Sequence, residues 1–195
     1  MKVIGKGTFS CVVYPSINSS NDLNMVGKIG ISRELSEEYY RIIKLPKNSP
    51  YLYYNVNTSF LTIKQSEEII DIANLKISKG FKLGELRIPL INGQSLAKFL
   101  NKFKLSPFFD YYNDKDGVPD TYQKIIEINA SRPKIEFTKW VNLLKAFIDF
   151  YDKVEQMNLE YSVFHNDIHT GNIMYDGYKL YLVDWAPVPG FGHYD

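Results

Sequence analysis

Trp140, Leu143, Leu144, Phe147, Ile148, Tyr151 and Val154 recur at intervals of three and four residues. That spacing lines one face of an α-helix and demands something to pack against. The stripe is expected to be core, and Thr138 is expected to cap the helix. A helix of this length is followed by "IMYDGYKLYLVDW", two short β-type runs around Asp176-Gly177. That pair is a type I′ hairpin signal. The chain must therefore close on a hairpin after its most helical part.

The start of the chain has a different period. Residues 2–14 and 24–30 read as short strands around the loop "SINSSNDLN". Leu35, Tyr39, Ile42 and Ile43 then share a helical face that Pro46 is expected to stop. Residues 51–85 are ambiguous, and "SEEIIDIANLK" fits a helix or an insertion. "GELRIPLI" reads as a strand, Asn92-Gly93 as a turn, and Leu96, Phe99, Leu100 and Phe103 as a helical face. Residues 104–120 read as a loop and 121–130 as a short helix. Strands first, helices in the middle and a closing hairpin predict an α+β fold in two lobes.

At 195 residues the chain suits one such domain. Hydrophobic residues make up 45% and charged residues 23%, an ordinary globular balance. The net charge of +1 argues against bulk attraction to nucleic acid, and no nucleic-acid partner is expected. Cys11 is the only cysteine, which points to a reducing compartment. Gly5, Lys6 and Gly7 interrupt any signal-peptide core, and no run has the length of a membrane helix. A cytoplasmic protein without a membrane partner is expected. The Asn-x-Ser/Thr triplets at Asn18, Asn57 and Asn129 read as chance in an Asn-rich chain.

Four stretches carry chemistry. In "IGKGTFSCVVYP", Gly5 and Gly7 have GxG spacing between two strands, where a backbone can approach phosphate. An isolated GxG is more often a plain hairpin turn. It is not a Rossmann fingerprint, because a strand follows it. Lys28, on the next strand, is either a surface lysine or a phosphate ligand. Of Glu34, Glu37 and Glu38 on the following helix, Glu38 is favoured to face inward and hold Lys28, because Ile42 and Leu45 follow it on the packing side.

The fourth stretch, "VFHNDIHTGNIMYDG", admits two readings. His165, Asp167 and a distant His193 could form a metal triad. Alternatively, Asp167 acts on a hydroxyl while Asn172 offers an amide oxygen to Mg2+, and the hairpin returns Asp184 as a second oxygen ligand. The long preceding helix favours the second reading.

Taken in order, these stretches resemble the protein-kinase-like superfamily over residues 2–186. Gly5-x-Gly7-x-Phe9-Ser10-x-Val12 is similar to its glycine-rich loop, and Lys28 stands at its phosphate-binding lysine. Glu38 matches the ion-pair partner, "HNDIHTGN" the catalytic loop and "VDWA" the metal-binding motif. "IPLINGQSLAKFL" resembles the hinge and helix that hold adenine. In style the chain looks like the short kinase-like proteins of large DNA viruses, which would place it in a host cytoplasm.

The resemblance implies a small β-rich lobe over 1–91 and a reduced helical lobe over 92–195. It implies ATP and Mg2+ as cofactors, with nucleotide contacts from Gly5, Lys6, Gly7, Phe9, Ser10, Val12 and Lys28. Asp167 would be the base, with Lys28 and Glu38 in the catalytic set, and Asn172 and Asp184 the metal ligands. The acceptor is expected to be a protein Ser/Thr hydroxyl.

Departures open alternatives. Only four residues precede Gly5, so the first strand is expected to be nearly absent. Asn166 stands where many protein kinases have arginine, and Trp185-Ala186 replaces Phe-Gly. "D-I-H-x-G-N" is similar to aminoglycoside and choline kinases, which favours a small-molecule alcohol as acceptor. Residues 185–195 are too few for an activation segment and its following helices. That shortfall raises a pseudokinase or ATP-binding interaction module, and exposed apolar surface could drive homo-oligomerisation.

Overall fold

The computed structural model describes residues 1–19, 21–45, 57–78, 81–103, 130 and 134–185. It is α+β, with two antiparallel sheets and four longer helices among those residues. The chain divides into two compact units. The first comprises Met1–Ile91, Gln156–Asp167 and Asp184–Asp195; the second comprises Asn92–Glu155 and Ile168–Val183. The segment expected to form the second lobe thus returns to the first unit twice.

In the first unit, β1 (Lys2–Lys6), β2 (Cys11–Tyr14), β3 (Met25–Ile31), β4 (Asn57–Phe60) and β5 (Leu83–Pro89) form one sheet in the order β1-β2-β3-β5-β4. The first strand is present, contrary to expectation: Gly5 lies inside it, paired with Val12. Side chains alternate across a strand, so neighbours in register share a face. Cys11, Val13, Ile29 and Leu83 point to one face and are buried there with Ile69, Ala73 and Leu75. The first two of those belong to α2 (Ile63–Ala73), which settles the ambiguous segment as a helix. It starts at a capping box, Thr62 with Gln65, and ends at Asn74 in a left-handed conformation. Val12 and Lys28, paired in register, belong to the other face.

Helix α1 (Ser32–Ile43) buries Leu35, Glu38 and Ile42. Glu38 takes the inward place expected of it, whereas Ile43, expected on the packed face, is half exposed. The helix closes at Lys44, and Pro46 lies outside the described residues.

In the second unit, β6 (Gln94–Ser95), β7 (Ile173–Tyr175) and β8 (Leu180–Leu182) form a three-stranded sheet. Helix α3 (Leu96–Lys102) is capped by the Ser95 hydroxyl, which accepts from Lys98 N, and buries Leu96, Phe99 and Leu100. The expected loop over 104–120 lies outside the described residues, as does all but Ala130 of the expected helix over 121–130.

Helix α4 (Phe137–Tyr161) forms where the apolar stripe predicts, but two details differ. Thr138 sits inside the first turn; Glu136 flanks the helix, and its carbonyl accepts from Trp140 N at 3.0 Å. The buried face is Leu143, Ala146, Phe150 and Met157, while Leu144, Ile148 and Tyr151 are exposed. Apolar residues surround more of this helix than one face, so spacing alone did not select the buried side. No helix among the described residues is long and apolar enough to cross a membrane.

The hairpin between β7 and β8 is present, but its turn is not type I′. Gly177 has φ 104°, whereas Asp176 is not among the residues with positive φ, and type I′ requires both. Asp176 instead accepts from the amides of Tyr178 at 2.8 Å and Lys179 at 2.7 Å through Oδ1, and from the Tyr181 hydroxyl at 2.8 Å through Oδ2. A carboxylate closing its own turn does the work assigned to the dipeptide.

Candidate functional site

Lys28 is on β3, a central strand between β2 and β5, and is buried. An ammonium there needs compensating charge. Its Nζ donates to Glu38 Oε2 at 2.6 Å and to Asp184 Oδ1 at 2.6 Å. The other oxygen of Glu38 accepts from Trp185 N at 3.0 Å. Strand, helix and the segment after the hairpin thus converge on one carboxylate–ammonium–carboxylate cluster within the first unit.

Burial pushes the Lys28 ammonium down, but two carboxylates outweigh it, and its pKa lies above the ordinary lysine value. Burial pushes the Glu38 carboxyl up, and Lys28 only partly offsets that. The cluster therefore keeps its lysine charged.

Asp184 has φ 63° and Asn166, next to Asp167, has φ 64°. Non-glycine residues seldom adopt this left-handed conformation, although Asn and Asp tolerate it best. Both strained positions flank or form predicted functional residues. Asp167 itself is exposed. His165 is buried, and its ring meets that of fully buried Trp185 edge-on, with centroids 4.7 Å apart. This histidine is a packing residue. His193, the third member of the metal triad considered above, lies outside the described residues. Among the described residues no group of three or more His, Cys, Asp and Glu side chains could hold a metal.

The glycine turn sits between β1 and β2. Gly7 N donates to Ser10 O at 2.8 Å, closing it. Phe9 is exposed and Ser10 half-buried. Val12 pairs with Lys28 and shares its face. Lys6 pairs with Cys11 and so shares the opposite face.

Asn172 belongs to the second unit, at the end of a 3-10 turn over Thr170–Asn172, and is buried. Its backbone carbonyl accepts from Val183 N at 2.9 Å, and its backbone N–H donates to His169 O at 2.9 Å. His169 Nδ1 accepts from Gly171 N at 3.0 Å. A Cβ at Gly171 would meet the His169 ring at 2.7 Å, so a larger residue there would have to displace that ring. That bond gives His169 a turn-forming role.

Asp184 is about half exposed, and only its Oδ1 is engaged by Lys28. Its other carboxylate oxygen is a ligand type that a hard cation accepts.

Sequence reasoning missed Glu85. It is buried on β5 and accepts from Ser16 Oγ at 2.9 Å, Ile17 N at 2.6 Å, Asn18 N at 3.0 Å and Asn18 Nδ2 at 2.5 Å. An acidic residue between Gly84 and Leu86 on a largely buried strand was the available signal.

No protein-family model matches the chain, and no curated protein matches it significantly.

Proposed function

We propose that the chain is an ATP-dependent phosphotransferase with a two-lobed, protein-kinase-like fold. The observation that carries this reading is the Lys28 ammonium held 2.6 Å from both Glu38 and Asp184. A buried lysine kept charged, beside a half-exposed carboxylate and one strand from a glycine turn, suits a triphosphate.

Lys28, oriented by Glu38, binds the phosphates of ATP. The glycine turn lets backbone approach them. Asp167 orients an acceptor hydroxyl and takes its proton. The hydroxyl oxygen bonds to the γ-phosphorus, the bond to the β-phosphate oxygen breaks, and ADP leaves. Asn172 and Asp184 would hold Mg2+, which would supply positive charge to offset that of the phosphates. The acceptor is a protein Ser/Thr hydroxyl; a small-molecule alcohol is the alternative the "D-I-H-x-G-N" pattern favours.

The test compares wild type with Asp167→Asn for thermal stabilisation by Mg·ATP and for transfer of radiolabelled phosphate to protein or alcohol acceptors. Stabilisation of both, with transfer reduced about 10²–10⁴-fold in the variant, supports the enzyme. Stabilisation without transfer by either supports an ATP-binding interaction module. Absence of nucleotide binding overturns both.

A further inference from the structure

The cavity of about 400 Å3 in the first unit does not include Lys28, Glu38 or Asp184. It is lined by Lys6, Gly7, Thr8, Asn74 and Lys76. Two strand positions place it on the α2 side of the sheet. Lys6 pairs with Cys11, whose side chain is buried under α2, so both point that way. Asn74 is the left-handed cap of α2 itself. Lys28 lies on the opposite face, one residue out of phase with Ile29.

The lining is rich in donors and carries no acid. It offers two ammonium groups, a hydroxyl and a side-chain amide. Neither Lys6 nor Lys76 has an ion-pair partner among the described residues. Lys6 and Lys76 are both exposed and border the same cavity, so an anion seated there has two cations in its lining. The floor is fixed: Lys76 N donates to Thr8 O at 3.1 Å, tying the tip of the glycine turn to the segment after α2. Lysine ammonium groups suit phosphate as point charges, and a phosphate monoester has the oxygens to engage both lysines and Thr8.

We propose that this cavity is a binding site for a phosphate or phosphomonoester group, separate from the Lys28 cluster. It needs no nucleotide, so it stands or falls apart from the proposed phosphotransfer. Because Lys76 and Thr8 share a backbone bond, an occupant also bears on the glycine turn from its outer side.

The test follows backbone amide shifts by NMR at constant ionic strength, without nucleotide, as inorganic phosphate or a phosphoserine peptide is added. Saturable shifts centred on Thr8, Asn74 and Lys76 are expected, weakened about tenfold in Lys76→Ala. Lys76→Arg is expected to retain them. Tighter binding of the peptide assigns the site to a phosphorylated protein segment, and tighter binding of phosphate assigns it to the free ion. Overturning results are an absence of saturable shifts with either probe, shifts centred on Lys28, or an unchanged response in Lys76→Ala.

Discussion

Glu38 receives the Trp185 amide on one carboxylate oxygen at 3.0 Å while its other oxygen holds Lys28 at 2.6 Å. One buried side chain on α1 thereby fixes both the strand lysine and the backbone beside Asp184. Removing Lys28 leaves the buried Glu38 charge without compensation.

Lys28→Met should accordingly destabilise the fold by about 3–5 kcal/mol in urea unfolding at neutral pH. Its pH dependence follows from Glu38, already pushed above the ordinary glutamate value by burial. Without Lys28 the folded-state value rises further. A raised carboxyl contributes stability below the unfolded value, which is lost as pH rises through the folded value. The variant should therefore recover stability on acidification, and the double variant Lys28→Met/Glu38→Gln should show no such recovery. Equal pH profiles for the two would contradict the role given to Glu38.

Trp185 is fully buried, so Trp185→Ala should cost about 3–5 kcal/mol by cavity formation, whereas Trp185→Phe should cost much less. The bond to Glu38 uses backbone, so neither change removes its donor. Denaturation midpoints check this, and similar losses for Ala and Phe would point to a specific need for the indole.

Glu85→Ala strips the acceptor from Ser16, Ile17 and Asn18 together. Each buried orphan costs about 1–3 kcal/mol, partly recovered by water, so a total near 3–5 kcal/mol is expected. Glu85→Gln should not rescue it, because an amide NH2 would face the two Asn18 donors. Thermal unfolding of both variants is the measurement, and a Gln variant as stable as wild type would refute the clamp.

Asp176 sets an acid limit on the hairpin. Burial alone would raise its carboxyl, but the amides of Lys179 and Tyr178 and the Tyr181 hydroxyl outweigh this and hold it below the ordinary aspartate value. A depressed carboxyl contributes stability above its unfolded value that is lost as pH falls through the folded value. Amide exchange in β7 and β8 should speed up as pH falls below the ordinary aspartate range, after correction for intrinsic rates. Asp176→Asn should exchange faster throughout, without that acid step.

Much of the secondary structure is legible in local patterning. The strand runs "CVVY" and "MVGKIGI" follow from residue type and the stripe beginning at Trp140 from a period of 3.6, which neighbouring residues alone determine. The turn made by His169 and Gly171 is equally local, because its bond spans two residues. Which side of α4 is buried was not legible, since Leu144 and Ile148 are as apolar as Leu143 and Phe150.

The candidate residues Lys28, Glu38, Asp167, Asn172 and Asp184 could be nominated by type and order. Their relationships could not. Lys28 and Asp184 are 156 positions apart, and Glu85 reaches back 67 to 69 positions to its donors. Sequence determined which groups exist and the period on which each is presented. Only the tertiary structure decided that Lys28 has two carboxylates, that Lys6 points away from it, and that Glu85 is a clamp. Burial makes such groups seek partners wherever the folded chain brings them, and that distance is invisible to any local pattern.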